Sequence, residues 1–482
     1  MARQIFATKS IDKLIADSER PEHALKKTLG PISLTALGVG AVIGSGIFTV
    51  IGTAIGGNPA ALATWADSPV IDLLLHHGAI AGRPGAGPAL ALSLVLVAIV
   101  CALTGLCYAE LASMIPIAGS AYTYTYATLG ELIAWIIGWD LILEYAFSNM
   151  SVSVGFAAHL VDLLDWLGIP ISAKWLSPAY LPLGLQDLQG HDIYPPGWHP
   201  GFNIPAFLVV LLLTVVLVRG IRESARTNNI MVLVKITAIL IFIFAGLSFI
   251  HPANYHPFSP NGFSGVLAGG SIIFFTYIGF DSVSTASEEC KAPQRDVPIG
   301  ILATLVVCTV LYIGVAVVLT GLVPWQSIAG DGAPVVNALK RVSLTPEGRP
   351  LHWVRLAVLL GAIVGMISSI LVFQLGQARV WYAMSRDRLL PSAFSRVHPK
   401  FRTPAFATWV AGVLVLRYKD PTRRRGFRVP GGPVIPILSV LFCTLLMAGL
   451  PAKTWLRFFS WLVIGLIVYF TYSRKRSEFY RG

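Results

Sequence analysis

The chain is 482 residues long, 55% hydrophobic and only 12% charged, where soluble proteins carry about a quarter. So few charged side chains cannot cover a soluble globule of this size, and the long apolar blocks lack the two-residue alternation of a membrane barrel. A soluble enzyme is excluded, and the formal charge of +12 has to be read against membrane topology before any nucleic acid is invoked.

Residues 1–30 are polar and basic and read as a tail. The first apolar run begins at Pro31, too deep and too long for a cleaved signal peptide. Apolar segments follow at 31–56, 86–112, 130–162, 202–218, 228–250, 262–286, 298–323, 352–378, 434–450 and 455–472. Each is of spanning length, so the sequence predicts ten transmembrane helices in an all-α polytopic protein. The five cysteines have no metal-ligand or disulfide spacing, and no cofactor or metal is expected.

With the tail inside and the loops alternating, 26 of the 36 basic residues fall on the inner side. This sidedness predicts cytoplasmic N- and C-termini in a plasma (inner) membrane. Nucleic acid then has no support as a partner, because the basic residues are topology determinants facing a lipid bilayer. One further apolar run, Ala405–Leu416, is too short to cross and has basic flanks on both sides, which predicts a re-entrant or interfacial element.

The first span carries Gly38, Gly40, Gly44 and Gly46, with Gly44-Ser45-Gly46 denser than a packing motif needs. The sixth span repeats the pattern, with Gly269 and Gly270 near its start and Gly279 beside Asp281 in mid-span. Two helices interrupted at corresponding places predict a binding site. An unwound stretch frees N–H groups for an anion and carbonyls for a cation. The N–H groups of Gly44, Ser45 and Gly46 suit an α-carboxylate, and carbonyls near Val42, Ile43 and Phe275 suit an α-amino group. An amphoteric small solute is therefore expected.

Four ionisable residues lie within spans: Asp140, Glu144, Lys235 and Asp281. Each is costly if isolated in lipid, so each is expected to face the bundle interior or to pair. Asp140 and Glu144 share a helix face. Lys235 reads either as a proton carrier or as a static ion pair to Asp281 or Glu144. Glu110, at the end of the second span, reads as a solvated helix-end carboxylate.

Gly38 to Phe48, Tyr108-Ala109-Glu110-Leu111, Pro116 to Tyr122, Gly138 to Tyr145, Gly279-Phe280-Asp281, Glu288-Glu289 and Pro293 to Gly300 together resemble the amino acid–polyamine–organocation superfamily. Within it, they and the stretch from Phe427 to Phe470 look like the cationic amino acid transporter family. The resemblance implies two inverted five-helix repeats plus two helices: tail 1–30, first repeat 31–250, second repeat 251–430, and helix pair with tail 431–482. It implies an amino acid permease working by alternating access, proton-coupled or facilitative and sodium-independent. Gly44, Ser45 and Gly46 would take the carboxylate, and Phe275 and Ile278 would line the pocket. Lys235 would stand where relatives hold sodium. Glu144 and Asp281 favour a cationic substrate side chain, whereas Met366 and Val372 favour a neutral one. Where the family has its ninth and tenth helices this chain has only 405–416, about 40 residues fewer. That departure leaves a second reading, a transport-defective variant or an amino acid binding or sensing protein.

Overall fold

The computed structural model describes residues 6–18, 27–57, 65, 68–70, 73–74, 82–169, 180–181, 185–186, 192–194, 197–198, 203–219, 221–329, 331–392, 434–448 and 450–477. The short run Ala405–Leu416, where the sequence predicts a re-entrant element and an incomplete second repeat, lies outside the described residues.

A short amphipathic helix α1 (Ile11–Ser18) precedes the first span. That span is α2 (Pro31–Val42), a π-turn Gly46–Val50 and α3 (Ile51–Gly56). Next come α4 (Leu90–Met114), α5 (Ser120–Thr128), α6 (Glu131–Trp166), α7 (Ile204–Arg219) and α8 (Ile221–Leu247). Two small antiparallel ladders, Tyr180–Leu181 with Gly197–Trp198 and Leu185–Gln186 with Asp192–Tyr194, lie between α6 and α7. The sixth span is α9 (Gly262–Phe274), a 3₁₀ turn Phe275–Tyr277 and α10 (Ser282–Thr285). The chain continues with α11 (Pro293–Leu322), α12 (Pro334–Ser343), α13 (Leu351–Arg386), α14 (Val434–Ala448) and α15 (Ala452–Val468).

Among the described residues eight helices are long and apolar enough to cross a membrane, and two shorter apolar helices, Ile204–Leu217 and Ile437–Ala448, stand where the sequence predicts the remaining two spans. Helices are the form that satisfies every backbone group where water is absent. α11 packs along α4 and α2, and α13 packs along α6 and α8. These two groups meet on the first span. It and α13 are the most enclosed of the eight long spans, with 78% and 72% of their apolar stretches buried, against 11% in the last span.

One face of the molecule gathers the described tail residues around Lys9 and Leu29, the ends of the sixth and eighth spans and the segment around Ser477, and is here termed basal. The Lys9 ammonium donates to Asp387 Oδ1 at 2.8 Å, and Tyr122 donates to Oδ2 of the same carboxylate at 2.8 Å. Leu29 bridges to Cys290, and Leu14 is buried. Glu131 accepts from Tyr126, Tyr469 and Ser477, which ties the C-terminal segment to the start of α6. Higher up, Trp139 and Trp461 stack at 4.7 Å, and each indole donates to the other's backbone carbonyl, at 2.9 and 3.0 Å. Gly465 leaves room for this; a Cβ there would run into the Trp139 ring.

Glu110 is buried, with 6% exposure, which corrects the expectation of a solvated residue: the second span continues to Met114 and carries it inward. Gly269 and Gly270 lie within continuous helix α9 and are packing positions, not part of a break. A Cβ on Gly269 would meet Ala86 Cβ at 2.7 Å, so its bare backbone serves a close approach.

Candidate functional site

Both interruptions predicted from glycine are present, and they face each other. In the first span α2 stops at Ile43 (ψ 87) and the chain restarts at Gly46. In the sixth, Ile278 is extended (ψ 133) and Gly279 takes a φ of 115, a conformation that disfavours any side chain. A Cβ on Gly46 would collide with Thr276, and one on Gly279 would meet Ala41 Cβ at 2.6 Å. The two breaks therefore touch through backbone, which side chains at these glycines would prevent.

The groups freed by the first break have identifiable partners. The Gly44 N–H donates to the Val42 carbonyl at 3.0 Å. The N–H groups of Ser45 and Gly46 open the outgoing half-helix, where the first-turn donors have no intrahelical acceptor and the dipole is positive. The Ser45 hydroxyl is buried without a hydrogen-bond partner, and so is that of Thr49 one turn on. On the carbonyl side, Lys235 Nζ donates to Gly40 O and Ile43 O at 2.8 Å each and reaches Ser368 Oγ at 3.4 Å. The Ser369 hydroxyl, with one proton to donate, lies 2.6 Å from Gly40 O and 3.1 Å from Ile43 O.

Tyr312 on α11 links the two interruptions. Its hydroxyl lies 2.6 Å from Val42 O and 3.1 Å from Thr276 O, and it has one proton to donate. Val42 O thus faces the Gly44 N–H and the Tyr312 hydroxyl, and Ile43 O faces Lys235 Nζ and the Ser369 hydroxyl, each within hydrogen-bond distance. The α-amino role expected of them meets carbonyls already engaged. Phe275 O accepts a long 3.3 Å bond from the Ile278 N–H that caps its own turn.

Lys235 is fully buried, and among the described residues it forms no ion pair with Asp281 or Glu144. The static-bridge reading is replaced by bonds to the broken helix. Asp281 is buried and accepts from the Tyr145 hydroxyl at 2.6 Å. Glu144, the residue before Tyr145, interacts electrostatically with Asp281 and Asp140. Asp140 is half-buried, and its Oδ1 has no partner. Met366 is fully buried, and its sulfur would lie 3.4 Å from a Cβ on Gly155, which also abuts Ser45 and Thr49. Phe275 and Ile278 are half-buried at the sixth-span break, and Val372 is buried further along α13.

Toward the basal face the sixth and eighth spans are joined by ion pairs. Arg379 Nε donates to Glu289 Oε1 at 2.6 Å, and Arg386 donates to Glu288 Oε1 at 3.1 Å. Burial pushes the Glu289 carboxyl above its usual range, and the Arg379 charge pulls it back.

Tyr312, Tyr145, Asn228, Ser368 and Ser369 were not singled out from the sequence. The adjacent serines in an apolar span were the signal available for two of them. Lone tyrosines and an asparagine near a helix start carry none.

Two apposed broken helices with oriented amides and an occupied cation position are the architecture of a membrane transporter for a small solute. A family model described as amino acid permease matches residues 29–418, and one for the C-terminus of such permeases matches 427–477. The chain belongs to the amino acid permease family. It is 41% identical to the branched-chain amino acid permease BcaP of Bacillus subtilis, over 99% of both chains. It is 39% identical to the methylthioribose transporter of the same organism, over 98% of each. It is 37% identical to the chloroplastic cationic amino acid transporter 9 of Arabidopsis thaliana, over 78% of this chain and 58% of that one. Amino acid transport across a membrane is its function, and it is not an enzyme.

Proposed function

We propose that the protein carries neutral, branched or aliphatic amino acids across the plasma membrane by sodium-independent, proton-coupled alternating access, with the basal face cytoplasmic. The observation that carries this reading is Lys235 Nζ on Gly40 O and Ile43 O, 2.8 Å from each. Carbonyls freed by a helix break suit a cation, and here a titratable ammonium holds that place. Protonation of Lys235 then favours the closed break and its loss loosens it, which couples proton movement to the state of the first span.

In this reading the substrate carboxylate lies on the N–H groups of Ser45 and Gly46 and the Ser45 hydroxyl, with Gly44 shaping the turn. Val42 and Ile43 form the floor through their engaged carbonyls, and the amino group turns to the Phe275 carbonyl. Phe275, Ile278 and Met366 enclose the side chain. The apolar lining supports a neutral substrate, as do two branched-chain permeases among the relatives that align over 98% or more of their length. A cationic substrate is the second reading, favoured by Glu144 and Asp281 on the basal side of the break and by relatives named cationic amino acid transporters.

The inward concentration of basic residues supports cytoplasmic termini. The opposite directions of α2, which leaves the basal face, and the sixth span, which ends on it, support repeats over 31–250 and 251–430. The alignment to the Bacillus permease runs over 511 positions, against 482 residues here, which supports a chain shorter than its relatives. A binding or sensing protein that does not transport is the reading this shortening favours.

Proteoliposomes in sodium-free buffer test the proposal. Labelled leucine should accumulate when the exterior is acidified, unlabelled leucine and isoleucine should compete better than arginine, and Lys235→Ala should lose the pH dependence. Binding of leucine without uptake under any gradient would establish the sensing role instead.

A further inference from the structure

Asn228 lies two turns before Lys235 on α8, so both side chains project from one helix face onto the first span. Asn228 is buried, with 2% exposure. Its Nδ2 donates to the Ala36 carbonyl at 3.1 Å, and its Oδ1 accepts the Ser368 hydroxyl proton at 2.7 Å. The Ala36 carbonyl can only accept, which orients the amide. Gly40 permits the approach, since a Cβ there would lie 2.7 Å from Asn228 Oδ1. Ser368 Oγ, its proton held by Asn228, then presents only lone pairs to Lys235 Nζ at 3.4 Å.

We infer that Asn228 is a positioning residue for proton coupling: through Ser368 it keeps an acceptor, never a donor, facing the Lys235 amine. This rests on the proposed role of Lys235. An ammonium has three N–H groups, and two carbonyls and Ser368 Oγ match all three. A neutral amine has two N–H groups and a lone pair, and that lone pair would meet the lone pairs of Oγ. The Asn228–Ser368 pair thereby favours the protonated lysine. The other elements around Lys235 offer little to titrate: α2 presents carbonyls, α13 presents Ser368, and α11 presents the buried Cys308 thiol, the titratable neighbour among the described residues.

The test is the pH profile of leucine uptake in proteoliposomes for Asn228→Ala, Ser368→Ala, the double variant and Lys235→Ala, with folding checked by size exclusion. In Asn228→Ala the Ser368 hydroxyl is free to donate to a neutral amine, so the half-maximal pH should move toward acid by about one unit, a tenfold change in proton affinity. Ser368→Ala removes the third acceptor and should move it the same way. Because Asn228 acts through Ser368, the double variant should match Ser368→Ala alone, a non-additivity that two independent packing defects would not produce. Shifts that add, or an Asn228→Ala profile identical to wild type while Lys235→Ala has lost its pH dependence, would overturn the inference and leave the lysine role standing. Retention of pH dependence in Lys235→Ala would overturn both.

Discussion

Replacing Gly279 by alanine introduces one carbon where the two broken helices touch. Two independent costs follow. The backbone φ of 115 lies in the region that a Cβ disfavours, at roughly 1–2 kcal/mol. The new carbon would also sit 2.6 Å from Ala41 Cβ and 3.2 Å from Phe373 Cε1. Neither neighbour is the free end of a flexible chain, so the backbones must part, at about 1–3 kcal/mol for overpacking. The sum is about 2–5 kcal/mol, and because the displaced backbone is that of the site, transport should fall as well. Gly270, nine residues earlier in α9, is the internal control. A Cβ there would meet Leu446 Cδ2 at 3.5 Å and Val97 Cγ2 at 3.7 Å, which is ordinary contact. Gly270→Ala should be neutral or stabilising by about 0.5–1 kcal/mol, because alanine suits a helix interior better. Denaturant titration in mixed micelles and leucine uptake in proteoliposomes measure the two effects. If Gly279→Ala unfolds within about 0.5 kcal/mol of wild type and transports normally, the apposition of the breaks through Gly279 is refuted.

Three other perturbations follow from the described contacts. Tyr312→Phe removes the hydroxyl beside Val42 O and Thr276 O; unfolding titration should show a loss of about 1–3 kcal/mol, and uptake should slow without a change in side-chain preference. Arg379→Ala removes the cation that holds Glu289 ionised, so the buried carboxyl should take up a proton at a loss of about 3–5 kcal/mol, whereas the apolar pair Arg379→Met with Glu289→Leu should recover most of that; a double variant no better than the single would show that the ion pair itself stabilises the basal closure. Lys9→Ala removes the cation that faces Asp387 at 2.8 Å, so added protease should cut the N-terminal segment faster in the variant than in wild type, while Asp387 keeps its Tyr122 bond.

Much of this architecture was legible from residue order, for a simple reason. Lipid demands long apolar helices, so the eight long spans and the two shorter apolar helices stand where the apolar runs predicted them. Gly44-Ser45-Gly46 and Gly279 could be read as breaks because glycine and a carboxylate at bilayer depth are costly without a function. Gly269 and Gly270 carry the same letters but lie inside continuous helix, since what separates them from Gly279 is a backbone angle that composition does not record. Tyr312 and Ser368 escaped notice because their importance comes from carbonyls released by another helix. Lys235 was visible as an isolated charge, yet its partners were not: backbone oxygens of a broken helix have no sequence signature, and carboxylates were the natural guess. The run 405–416, where the sequence predicts a missing helical hairpin, lies outside the described residues.

The paired indoles of Trp139 and Trp461 give the last helix a practical use. Bound to α6 by two reciprocal hydrogen bonds and by Glu131 below, α15 rides with that helix while exposing Leu456, Phe459 and Val463. A probe attached on that outer side reports the position of the frame without entering the substrate path. Distances from it to the first span would separate movement of the gate from tumbling of the whole molecule.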